Sequence, residues 1–218
     1  MMRIAAVTFD LDGVLLDSEQ AWDEARREVV AEAGRPWPAG ATRAMMGMSS
    51  PEWSRYVRDE LGVPAAPEAI NADVVARVIA RYRTALPLLP GAREAVVRLA
   101  ERWPLGLATS SNREVIDLVL DAMGVRDRFA ATVSSEEVAR GKPAPDVYLE
   151  AARRLGVEPA SSAAIEDSEN GIRSARAAGM RVVAIPNPHF PPAREALDLA
   201  DAVLDGLDAL TPAVVEGT

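Results

Sequence analysis

Ile4-Ala5-Ala6-Val7-Thr8-Phe9-Asp10-Leu11-Asp12-Gly13 is the stretch on which the fold turns. Its apolar residues run together from Ile4 to Phe9, as in a strand buried on both faces, and two aspartates and a glycine close it. Further short apolar runs at Leu105 to Ala108, Ala163 to Ile165 and Arg181 to Ile185 read as buried strands, with Phe129 to Val133 a weaker one. Helix-length amphipathic segments lie between most of them. Asn112 to Met123 closes at Gly124, a second helix opens with Pro145 and closes at Gly156, and Ser168 to Ala178 stops at Gly179. This alternation predicts an α/β fold, a parallel sheet covered by helices on both faces.

The stretch from Ser18 to Leu86 breaks the rhythm and shows no convincing strand. Ser18 to Ala33 carries Ala21, Trp22, Ala25 and Val29 on one helical face and ends at Gly34; Pro51 to Leu61 and Glu68 to Leu86 follow as further helices. Pro36, Pro38, Pro64 and Pro67 read as the turns that separate them. The segment is expected to be a helical insert at 18–87, with Pro87 to Gly91 as the return hinge, and residues 1–17 and 88–218 are expected to form one core. The tail after Pro212 is expected to be loose.

Composition bounds the function. The 218 residues suffice for one large domain or a core plus a small insert, and 49% hydrophobic content excludes a mostly disordered chain. A net charge of -9 argues against nucleic-acid binding, which needs clustered Lys and Arg. A phosphate-handling site in such a chain must make positive charge locally, from a metal or a placed lysine. With no cysteine, disulfides, thiol catalysis and zinc–thiolate sites are excluded. The first apolar run is too short for a signal peptide core and no later run approaches a membrane span, so a cytoplasmic location is expected.

Asp10-Leu11-Asp12-Gly13, Thr109-Ser110-Ser111-Asn112, Gly141-Lys142-Pro143 and Glu166-Asp167-Ser168 stand at or just beyond the C-terminal ends of expected strands. In an open parallel sheet that edge binds ligands. Each motif also has a plain reading. Asp-Gly is a common turn. A calcium loop fails because Val14 stands where a third oxygen ligand belongs. Thr109 to Asn112 could simply cap a helix, although a helix start is also a phosphate seat. Gly141-Lys142 lacks the earlier glycine of a P-loop, and Glu166-Asp167 could simply open a helix. Taken together, the motifs bring four carboxylates, a hydroxyl and an ammonium to one crevice. Such acids repel one another unless a divalent cation joins them, and hard oxygen donors suit magnesium best.

The ordered set Phe9 to Ser18, Ala108 to Asn112, Gly141 to Asp146 and Ile165 to Ile172 resembles the haloacid-dehalogenase-like superfamily, in the branch similar to beta-phosphoglucomutase and phosphoglycolate phosphatase. The resemblance spans nearly the whole chain. It implies a Rossmann-like parallel sheet with helices on both faces plus an inserted all-helical cap domain. It implies that Asp10 is the nucleophile, Asp12 the general acid and then base, and that Thr109 and Lys142 hold the phosphoryl oxygens. Mg2+ would be held by Asp10, the Asp12 carbonyl and Asp167, with Glu166 in or next to the shell. Gly13, Ser110, Ser111, Asn112, Gly47, Met48, Ser49 and Trp22 are the expected substrate contacts, with Met46 and Trp53 further candidates for the wall.

The implied activity is magnesium-dependent hydrolysis of a small organic phosphate monoester through an aspartyl-phosphate, the ester being of the sugar phosphate or phosphoglycolate class. Its partner is then a small phosphorylated metabolite, with no nucleic acid or membrane, and the chain acts as a monomer or weak dimer. Dehalogenation is disfavoured by Asp12 and the Glu166-Asp167 pair. A phosphosugar mutase is the nearer alternative. Against it, Trp22 stands where such mutases carry a histidine, and Met45 to Pro51 has no Lys or Arg, although Arg43 and Arg55 lie close in sequence. A non-catalytic phosphometabolite binder is the third alternative, disfavoured by the intact Asp10, Asp12, Lys142 and Asp167. His189 is expected to be a plain loop residue.

Overall fold

The computed structural model describes residues 3–46 and 48–218. Its strands are β1 (Ala6–Phe9), β2 (Leu105–Thr109), β3 (Phe129–Ser134), β4 (Ser162–Glu166), β5 (Arg181–Ala184) and β6 (Ala202–Val203). They pair in parallel in the order β3-β2-β1-β4-β5-β6. The central β1 sets Phe9 opposite Leu107 on one side and Ile165 on the other. Every β1 residue is buried, which is why its sequence lacks a polar alternation.

Helices cover both faces, as the α/β Rossmann-like reading requires. Val7, Phe9, Leu105, Leu107 and Ile165 face a core completed by α5 (Ala92–Ala100) and α6 (Arg113–Met123). Ala108, Val133, Ala164 and Val182 face a second core with α7 (Asp146–Leu155) and α8 (Glu169–Ala177). Alternate residues of one strand thus serve two cores.

Between β1 and α5 lie α1 (Glu19–Glu32), α2 (Ala41–Met45), α3 (Ser50–Asp59) and α4 (Pro67–Thr84), with no strand among the described residues. Trp22, Ala25, Trp53, Val57, Val74 and Val78 bury the faces on which these helices meet. Pro67 occupies the first turn of α4 instead of a separating turn, because that position requires no backbone N–H. The chain leaves and returns side by side. The Asp17 N–H donates to the Pro87 carbonyl (2.8 Å), the Leu89 N–H donates to the Leu15 carbonyl (3.0 Å), and Leu16 and Leu88 bridge antiparallel.

The tail corrects an expectation. Pro212–Glu216 form α10, capped by the Thr211 hydroxyl, with Val215 buried and Arg181 donating to the Val214 carbonyl. Terminal segments stay ordered when side chains tie them down in this way. No helix among the described residues is long and apolar enough to cross a membrane.

Candidate active site

Asp10 stands at the end of β1, where its N–H donates to the Ile165 carbonyl (3.0 Å). The chain then turns tightly, with the Leu15 and Leu16 N–H groups both donating to the Leu11 carbonyl. Gly13 has φ 77°, and a Cβ there would lie 1.9 Å from Asp167 Oδ2. Glycine is therefore needed for conformation and for space. Its bareness lets Asp167, just past β4, approach the turn that follows β1.

Lys142, from the loop after β3, is buried with Nζ 3.0 Å from Asp10 Oδ1 and 2.6 Å from Glu166 Oε1. Glu166 is fully buried. Its Oε1 also accepts from the Tyr148 hydroxyl (2.7 Å), and its Oε2 accepts from the Asp167 N–H (3.1 Å). A Cβ on Gly171 would fall 1.9 Å from that carboxylate, so α8 carries a glycine where Glu166 lies against it.

Asp10, Glu166 and Asp167 each bring a carboxylate oxygen within 4.8 Å of the others. Burial raises Asp10 to about 7 against the pull of Lys142, and Glu166 and Asp12 push the same way as burial. Asp167 is pushed well up by burial, then by Glu166 and Asp10. Burial alone would lower Lys142, but Asp10 and Glu166 outweigh it and hold the ammonium above its ordinary value. One lysine does not neutralise three acids.

Asp10 Oδ1 is buried and has no well-aligned hydrogen-bond donor. Glu166, by contrast, has donors on both oxygens. The free lone pairs of Asp10 and Asp167, oxygen only, fit a hard divalent cation. Glu166, the third member of that acidic group, has its Oε1 engaged by Lys142 and Tyr148.

The Asp12 carboxylate is oriented separately, accepting from Trp22 Nε1 (3.2 Å) and from the Ser111 hydroxyl (2.5 Å). Thr109 ends β2, and its hydroxyl accepts the Ser111 N–H (3.1 Å). The Ser110 hydroxyl is buried without a partner. These groups open on a cavity of about 720 Å³ whose opposite wall includes Trp22, Met46, Met48 and Trp53 from the inserted helices.

Several expected contacts lie off that wall. The Asn112 amide donates to Glu136 Oε1 (2.6 Å) and Asn71 Oδ1 (3.3 Å), and its oxygen accepts from the Ser50 hydroxyl (2.8 Å). Asn112 thus pins the inserted helices to the core. Ser49 caps α3 through a box with Glu52 and packs on Gly141. Gly13 makes room for Asp167 and is not on the cavity wall. Gly47 lies outside the described residues.

Other residues arrive that the sequence did not place. His189, an exposed loop residue as expected, and Phe190 reach the cavity wall. Glu19, Arg26 and Arg43 also line it, whereas Arg55 does not. Glu19 and Arg26 lie three before and four after Trp22, on one helical face. That spacing was a usable signal, obscured because a tryptophan face ordinarily means core.

A parallel sheet whose strand ends gather an aspartate cluster and a buried lysine beneath inserted helices defines a Rossmann-like α/β protein with an acidic, oxygen-lined cavity. The chain belongs to the haloacid dehalogenase-like hydrolase family, whose model matches residues 4–179. It is 37% identical over 215 residues to hexitol phosphatase B of Escherichia coli K12, covering 96% of this chain and 95% of that one. It is 34% identical over 193 residues to a fructose-1-phosphate phosphatase of the same strain, covering 83% and 96%. The crystal structure of CbbY from Rhodobacter sphaeroides in complex with phosphate superposes with a TM-score of 0.86 at 28% identity, covering 97% of this chain and 99% of that one.

Proposed function

We propose that this protein is a magnesium-dependent phosphatase acting on a small sugar-phosphate-class monoester through an aspartyl-phosphate on Asp10. The observation that carries the reading is the buried Asp10 oxygen, without a well-aligned donor, set 3.0 Å from Lys142 at the cavity floor. The names of the two Escherichia coli relatives support the phosphorylated-carbohydrate class.

Asp10 attacks phosphorus as the ester P–O bond breaks, and Asp12 gives its proton to the leaving oxygen. Water then attacks the acyl phosphate, Asp12 taking the water's proton and Asp10 leaving as a carboxylate. Trp22 and Ser111 keep the Asp12 carboxyl aimed at that proton path. Lys142, Thr109 and Ser110 receive the phosphoryl oxygens, and Glu166 holds Lys142 in place. Magnesium held by Asp10, Asp167 and the Asp12 carbonyl would cancel the repulsion between an anionic nucleophile and a phosphate dianion. Residues 18–87 act as a cap domain over 1–17 and 88–218, excluding water from the reaction.

Phosphate release from a panel of sugar phosphates, phosphoglycolate and nucleoside monophosphates tests this reading. One ester is expected to be preferred, chelation is expected to stop release, and magnesium to restore it. Metal-independent turnover would overturn the cation's role. A thermal readout checks the same site. Asp10 moves from 3.8 to about 7 on folding, so the folded chain holds that proton more tightly than the unfolded chain. Cation-free stability therefore falls as pH climbs through that window, and magnesium is expected to raise the melting temperature most at its upper end.

Asp12→Ala is expected to cost about 10²–10⁴ in kcat with poor leaving groups and much less with an activated aryl phosphate, which needs no protonation. Equal losses with both would remove Asp12 from the acid role.

A phosphomutase is the second reading, favoured by Arg26 and Arg43 on the cap side of the cavity, where a second phosphate would have to sit. It predicts interconversion of sugar monophosphates primed by a bisphosphate instead of phosphate release.

A further inference from the structure

Arg26 is buried at 7% exposure on the cap wall of the cavity. Surface arginines such as Arg77, Arg81 and Arg154 pair with carboxylates. Arg26 makes no such ion pair among the described residues, and its Nε is buried without an acceptor. The guanidinium is nevertheless held in place. Its carbon lies 5.3 Å from the Trp22 ring centroid and 5.0 Å from that of Trp53, and the two indoles meet edge-on. A buried donor fork clamped between aromatic faces, its Nε without an acceptor among the described residues, is arranged for a ligand.

Which ligand it takes follows from the charges around it. Burial lowers Arg26 from its ordinary value, while Glu19, then Asp12 and Asp23, pull it back. Its charge is thus balanced at longer range, and what it lacks is hydrogen-bond acceptors. A second phosphate would bring two further negative charges beside Glu19 and Asp12. Hydroxyl groups bring lone pairs alone, and their protons suit the Glu19 carboxylate, which lines the same cavity two helical turns earlier in α1. The cavity, at about 720 Å³, has room for a chain of several carbons beyond the phosphate.

We propose that Arg26 is a specificity-determining residue whose fork donates to adjacent hydroxyl oxygens at the neutral polyol end of the substrate, with Glu19 accepting from a further hydroxyl. The proposal rests on the phosphatase reading and adds the substrate's distal chemistry to it. Arg26 has its cost in the empty protein, because an unpaired buried charge opposes folding.

The test compares wild type, Arg26→Met and Arg26→Lys, all with magnesium, on a hexitol phosphate, phosphoglycolate, a sugar bisphosphate and an aryl phosphate. Arg26→Met is expected to raise KM for the hexitol phosphate about 10- to 100-fold with kcat nearly unchanged, and to leave the aryl phosphate within a few-fold. Arg26→Lys, a point charge without a fork, is expected to fall between. The empty Arg26→Met protein is expected to melt no lower than wild type, which a purely structural arginine would not allow. An unchanged KM, equal losses on hexitol and aryl phosphates, or the greatest loss on phosphoglycolate or the bisphosphate would each overturn the proposal. Dissociation constants for the hexitol phosphate, read by tryptophan fluorescence in an Asp10→Asn background, separate the two claims. If wild type hydrolyses no ester while Arg26→Met still weakens binding, the phosphatase reading fails and the Arg26 assignment stands. Equal binding with and without Arg26→Met sinks the assignment whatever the turnover.

Discussion

Asp10→Asn is expected to lower turnover by at least about 10⁴ while the protein melts at or above the wild-type temperature. An amide oxygen is neutral and too weak a nucleophile to attack phosphorus, so no acyl phosphate forms. The same change removes one of three mutually repelling buried carboxylates, whose neighbour Asp167 is already pushed up by Glu166 and Asp10. Lys142 keeps Glu166 as its partner at 2.6 Å. Loss of activity with gain or retention of stability is the mark of a group kept for chemistry. Single-turnover phosphate release and a thermal melt, taken on one preparation, check both halves. Turnover near wild type would remove Asp10 as nucleophile, and a collapsed melt would mean that the loss reports misfolding.

Lys142→Met is expected to cost both properties, about 10³ in kcat and about 3–5 kcal/mol in stability. Among the described residues, Lys142 is the cation within ion-pair distance of both Asp10 and Glu166, and Glu166 has no exposure to water. Removing it strands a buried carboxylate. The double variant Lys142→Met/Glu166→Gln separates the two roles, because a neutral amide in place of Glu166 needs no cation. Denaturant unfolding is expected to show much of the stability restored, while activity stays lost. If the double variant regains turnover, Lys142 does not act on the phosphoryl group.

What could be read from the chain alone follows the range of the forces involved. The run ending in Phe9 carries only Thr8 among its apolar residues because β1 is paired on both sides and buried on both faces, so its central place was legible. Gly124 and Gly156 close their helices with φ of 65° and 69°, a local demand that leaves a local mark. Helix α5 went unassigned, since its nine residues are short and open on Gly91 without a side-chain cap. Asn112 and Ser49 were misread for a related reason. Each sits at the start of a helix near the site, and sequence cannot distinguish a side chain facing a ligand from one facing Glu136 or Glu52.

The order of motifs by itself determined the parallel sheet, the helical insert and the family, and it marked Asp10, Asp12, Lys142 and Asp167 as the candidates for the site. Each depends on backbone demands that short segments must satisfy wherever they sit. Only the tertiary structure decided that Glu166 spends its oxygens on Lys142, Tyr148 and backbone, that Trp22 and Ser111 bond Asp12, and that Arg26 has no ion pair among the described residues. Those facts are set by which side chains meet across 10 to 99 residues of chain and by the water they exclude. A buried charge has its meaning in its neighbours, and neighbours are chosen by packing.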